Sequence, residues 1–243
     1  MNKIHLAKYI TKAAIFFILI DLILLVLNIA FNDIPFFNLD NEGNLPTYYQ
    51  SAKLLLISIG TLSYIILINR HKLKLNIQLK LFWIALFLFG IYLSIDEAFQ
   101  IHEDISLVLK TIDTTLPSEY ENLFTLNGYN SANWLIFYIP VLIIGLLLFL
   151  TILKSLFTKF GRKVYLLIAA AILYITVFVV EYLGMNSEIL ADHFNTLIAI
   201  EELCEMIGTS LILLFVLKST KDEFFISYTS NTIPTGQWSD PIT

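Results

Sequence analysis

The chain has 243 residues, of which 57% are hydrophobic and 14% charged, and its formal net charge is −5. Soluble globular chains carry about 25% charged residues, so an ordinary water-soluble domain is excluded. The scattered basic residues exclude a nucleic-acid surface, and the single cysteine, Cys204, excludes an intramolecular disulfide.

The apolar residues form continuous runs rather than alternating patterns, which points to membrane helices and not to a β-barrel. The expected fold is all-α: a polytopic bundle of six transmembrane helices with both termini cytoplasmic. The first run, 13–31, follows Lys3, Lys8 and Lys12. It exceeds the roughly 7–15 apolar residues of a signal peptide and no A-x-A site follows it, so it reads as a retained helix. The second, 49–68, has Ser51 and Lys53 in its first turn, and the third is 81–95. Segment 96–133 reads as an outer segment: a helical continuation as far as Lys110, then an amphipathic stretch around Tyr120, Leu123 and Phe124 on the membrane surface. Trp134 opens the fourth run, 134–153, which tolerates Pro140 and Gly145. The fifth and sixth runs are 164–183 and 196–217. Residues 1–226 thus form a single transmembrane domain, and 227–243 a mobile polar cytoplasmic tail.

Orientation follows from the basic residues. Lys3, Lys8, Lys12, Arg70, Lys72, Lys74, Lys80, Lys154, Lys159, Arg162, Lys163, Lys218 and Lys221 fall on the side of the N-terminus, leaving only Lys53 and Lys110 of the 15 on the other. The acids are biased the opposite way: of 20, only Asp222, Glu223 and Asp240 are on the basic side. Acidic residues barely influence insertion, so this bias needs another cause.

Depth supplies one. Climbing ~1.5 Å per residue from the last basic residue of each helix puts Asp96 and Glu97 at about 24–26 Å, Glu181 at about 27 Å, and Glu205, Glu202 and Glu201 at about 20–26 Å. Three helices thus bring six carboxylates to one level near the outer edge of a ~30 Å core. Each costs up to about 3 kcal/mol at a helix centre, and a hard divalent cation offsets that cost most directly. His102 and His193 flank the level, and Glu103 follows His102. The expected metal site is therefore Asp96, Glu97, His102, Glu103, Glu181, His193, Glu201, Glu202 and Glu205, holding zinc or iron, with Glu205 and Glu201 as catalytic bases on metal-bound water. Small residues beside these acids, such as Gly208, let neighbouring helices approach. Asp21 is about 13 Å above Lys12 and must face the bundle interior, where it pairs with a lysine or a hydroxyl or extends the site.

Neither H-E-x-x-H nor paired Glu-x-x-His spacing is present, so the metal reading rests on depth and co-location. The expected function is a membrane-embedded metalloenzyme, a hydrolase or oxidase, acting on a lipid-like substrate in a bacterial-type plasma membrane. The competing classes are a cation- or proton-coupled transporter and an accessory subunit of a larger complex; a homo-oligomer is compatible with each. The inner half offers few polar residues for a transport path.

Overall fold

Apolar runs become helices, and their flanking residues decide where each one stops. In the computed structural model, which describes residues 3–31, 34–39, 43–101, 104–105, 107–108, 111, 135–185 and 194–232, the helices are α1 (Lys3–Ala30), α2 (Leu45–Arg70), α3 (Ile77–Phe99), α4 (Leu135–Phe160), α5 (Val164–Met185) and α6 (Phe194–Thr232). The described residues contain no strand. Four stretches are long and apolar enough to cross a membrane: Lys12–Ala30, Leu45–Arg70, Ile77–Phe99 and Leu142–Val180. The last is interrupted at Gly161, whose φ of +56° opens a single 3-10 turn, Gly161–Lys163, between α4 and α5.

Caps explain the boundaries that differ from expectation. α2 starts before residue 49 because Asn44 Oδ1 accepts from the Thr47 amide at 3.1 Å and Pro46 occupies the first turn. Asn76 caps α3 in the same way, accepting from Leu79 N at 2.8 Å. The third helix is not continuous to Lys110, although the described residues beyond its end, Ile101, Asp104, Ile105, Leu107, Val108 and Thr111, are again helical. α3 ends at Phe99, because Gln100 adopts φ +59° and its N–H closes on the Asp96 carbonyl. α6, by contrast, runs past residue 217 to Thr232, so 227–232 belong to a helix and not to a mobile tail.

α6 is the hub: it lies against α1, α2 and α5, and α2 also lies against α3. One core is aromatic. Trp83 of α3 stacks on Tyr64 of α2 with ring centroids 3.9 Å apart and on Phe215 of α6 at 5.8 Å, while Phe160 of α4 meets it edge-on at 5.8 Å. Leu156, Val164 and Leu213 complete this layer. Gly90 permits the contact of α2 with α3, since a Cβ there would fall 2.4 Å from Ser58 Oγ. The outward surfaces are apolar: on α1, Ile15, Phe16, Leu19, Leu22, Ile23 and Val26 are all exposed. Apolar surface that continuous matches hydrocarbon rather than water.

Candidate functional site

A second core, toward the other end of α2, is polar. Thr47, Gln50, Ser51, Lys53, Ile57, Ser58 and Thr61 are buried along this helix, and its polar members meet partners on each neighbour. Asp21 of α1 and Lys53 of α2 are both fully buried and form an ion pair at 2.8 Å. Lys53 Nζ also donates to the Met206 carbonyl at 2.9 Å and to Ser210 Oγ at 3.4 Å. The Ser210 hydroxyl in turn donates to the second Asp21 oxygen at 2.7 Å. All three ammonium protons and both carboxylate oxygens therefore have partners, the condition under which a buried pair is tolerated. The Lys53 ammonium also sits 4.6 Å from the centre of the Tyr49 ring, and the Tyr49 hydroxyl donates to the Phe17 carbonyl at 3.0 Å.

One turn along α2, Gln50 Nε2 donates to Thr209 Oγ1 at 2.8 Å and to Glu205 Oε1 at 3.3 Å, both on α6. Tyr174 of α5 shares a hydrogen bond with Thr209 at 2.6 Å. Gly208 makes this approach possible: a Cβ there would come within 3.1 Å of the Tyr174 ring. On the opposite side of α2, Ser51 and Ser94 exchange hydrogen bonds, each hydroxyl donating to the other's carbonyl at 2.8–2.9 Å. That clasp anchors the end of α3, where Asp96 is buried and Glu97 half-buried. Lys53 and Tyr174 both experience the fields of Glu97 and Glu205, so carboxylates from α3 and α6 reach one neighbourhood. Within it, Gln50 Oε1 is a buried acceptor with no hydrogen-bond donor among the described residues.

The expected site residues divide accordingly. Glu97 and Glu205 both act electrostatically on Lys53 and Tyr174, and Asp96 precedes Glu97 on α3. Glu201 and Glu202 are half-buried about one turn beyond Glu205, and Glu201 acts on the Cys204 thiol. His102, Glu103, His193 and the side chain of Glu181 lie outside the described residues. Among the described residues no group of three or more His, Cys, Asp or Glu side chains is arranged to hold a metal.

Sequence reasoning missed Lys53, Gln50 and Glu223. Lys53 was expected at the outer end of the second span, in its first turn, but lies in the interior opposite Asp21. An intramembrane acid seeks a partner on another helix, which indicates the kind of partner but not its position in the chain. Glu223 was expected at the cytoplasmic surface. It is buried, 2.6 Å from Lys159 Nζ and 3.5 Å from the Tyr64 hydroxyl. Val216, Ser219 and Glu223 follow one another at helical spacing and all three are buried. Next to it, Asp222 pairs with Lys163 and with Lys221. Partial burial pushes the Asp222 carboxyl up, but the two ammonium groups outweigh it and hold the carboxyl below its ordinary range.

No curated protein and no solved structure matches the chain. A family model does match, over residues 13–219, and this stretch contains every member of the polar core from Asp21 to Ser210. The chain belongs to the family described as Domain of unknown function (DUF8692).

Proposed function

We propose that the chain is a six-span protein of a bacterial-type plasma membrane, with both termini cytoplasmic, that binds a divalent cation in a pocket open to the outer side. The basic residues support this topology more strongly once Lys53 is placed in a buried ion pair, since only Lys110 then remains on the outer side. One observation carries the binding reading: Glu205 of α6 lies 3.3 Å from Gln50 Nε2, and Glu97 of α3 acts with it on both Lys53 and Tyr174. A carboxylate–amide set of this kind offers the oxygen ligands that hard cations prefer. The Gln50 amide turns its Nε2 toward Glu205 and Thr209. Lys53 does not oppose a cation here, because Asp21 neutralises it. His102, His193, Glu103 and Glu181 are the further ligands in this proposal. With zinc or iron bound, Glu205 and Glu201 would take the proton of a bound water, and a lipid-like substrate would enter from the outer leaflet.

The test is elemental analysis of detergent-purified protein as wild type, Glu97→Gln and Glu205→Gln. The expected result is about one divalent ion per wild-type chain, within the stoichiometry of a single site, and strong depletion in both variants. Metal-free wild-type protein overturns the reading, as does metal content that neither substitution changes.

A cation- or proton-coupled transporter is the second reading, favoured by the Asp21–Lys53–Ser210 cluster, which extends the polar line deeper along α2. The Tyr64–Trp83–Phe215 layer counts against it by closing that line. Proteoliposomes that show no proton- or cation-dependent flux eliminate it.

A further inference from the structure

At the end of the bundle where α2 turns into α3, a cavity of about 450 Å³ lies between that turn and the last turns of α4. A volume of this size is typical of small-ligand pockets. Its polar lining is Lys74, Asn76, Lys154, Ser155, Thr158 and Lys159, and no acidic side chain lines it. The α4 residues recur at helical spacing, so they share one face toward the cavity. Lys159 is engaged by Glu223. Among the described residues, neither Lys74 nor Lys154 has a carboxylate at ion-pair distance. The walls are held in place by hydrogen bonds: the Ser155 hydroxyl donates to Gln78 Oε1 at 2.7 Å and accepts from Asn76 Nδ2 at 3.4 Å. The cavity also opens beside the first turn of α3, where the helix dipole favours an anion.

A basic lining of this kind favours an anion, and its surroundings narrow the class. The cavity sits where the apolar stretch Ile77–Phe99 begins. Directly beyond Asn76, Ile77 is 67% exposed and Leu81 58% exposed. A basic cavity adjoining a lipid-facing apolar surface matches an amphiphile with a phosphate head and acyl tails. We propose that this cavity binds the phosphate of an anionic phospholipid, with Lys74 and Lys154 as its charge partners and Ser155 and Thr158 at its wall. The proposal is independent of the cation site, which lies toward the other end of α2.

Native mass spectrometry of the full chain in neutral detergent tests it, with phosphatidylglycerol and phosphatidylcholine titrated in parallel. Two lysines near a charged membrane surface should favour the anionic lipid by about 30-fold. The Lys74→Gln/Lys154→Gln variant should lose that preference while keeping the wild-type melting temperature, since both side chains are exposed and form no ion pair among the described residues. Equal binding of the two lipids overturns the proposal, as does a preference that survives in the double variant. Displacement of phosphatidylglycerol by low-millimolar inorganic phosphate also overturns it, because the site would then belong to a soluble anion. If the double variant melts early, Lys154→Gln alone, read as its ratio of anionic to neutral lipid adducts, decides the matter by the same criteria.

Discussion

Around Asp21 and Lys53 the helices meet through charges and hydroxyls, whereas about 16 Å further along α2, around Tyr64 and Trp83, they meet through stacked rings. The same three helices, α2, α3 and α6, line both regions. In the ring layer, partners are held by dispersion and shape, so a smaller ring loses only the contacts it no longer makes. In the polar region each group depends on a matched partner, because an unpaired donor or charge in a low-dielectric interior costs more than a lost contact. Two kinds of cohesion therefore respond differently to mutation: packing loss is local, whereas loss of one charge is cured by removing the other.

The sharpest way to break this contrast is the ion pair. Lys53→Met leaves Asp21 buried without its cation and should cost about 3–5 kcal/mol, read by unfolding in detergent micelles. Adding Asp21→Asn should restore most of that stability. A double variant no better than the single one would show that the pair is held by packing and not by charge. Trp83→Ala should cost about 3 kcal/mol in the same assay, and no second substitution among Tyr64, Phe160 and Phe215 should rescue it. Gly90→Ala falls between the regions. Its methyl would collide with Ser58 Oγ and force α2 and α3 apart, at about 1–3 kcal/mol; an unchanged melt would mean that the two helices shift freely.

The smallest effect lies outside both regions. The Asp222 carboxyl is held below its ordinary range in the folded chain, so the unfolded state binds its proton more readily. The stabilisation from Lys163 and Lys221 is thus complete above the unfolded carboxyl value of about 4 and disappears as pH falls through the lower folded value. Asp222 is one-third exposed, so solvent screening limits the contribution to under about 1 kcal/mol. Asp222→Asn should flatten the acid limb of a stability-versus-pH curve. An acid limb identical to wild type would assign that stability to other carboxylates.

Several structural features were legible one residue at a time. Uninterrupted apolar runs gave helices because a chain in hydrocarbon must satisfy its backbone internally, and Asp21 read correctly as facing the interior because a mid-membrane carboxylate cannot face lipid. The identity of its partner was not legible. Lys53 lies 32 positions away in sequence, and counting charges by loop places any lysine near a helix start outside the membrane. The break after Phe99 was equally hidden. Gln100 carries no strong preference for a left-handed conformation, yet it takes φ +59°, which ends the regular helical phase of α3.

Composition and periodicity by themselves determined that this is a helical chain with stretches apolar enough to cross a membrane, because hydropathy is a local property of the chain. Only the tertiary structure decided which side chains share a pocket: Lys53 with Asp21, Gln50 with Glu205, Glu223 with Tyr64 and Lys159. Depth fixes one coordinate of a side chain. Its neighbours depend on how each helix is rotated about its axis and which helix it touches, and those are set by packing across the whole bundle.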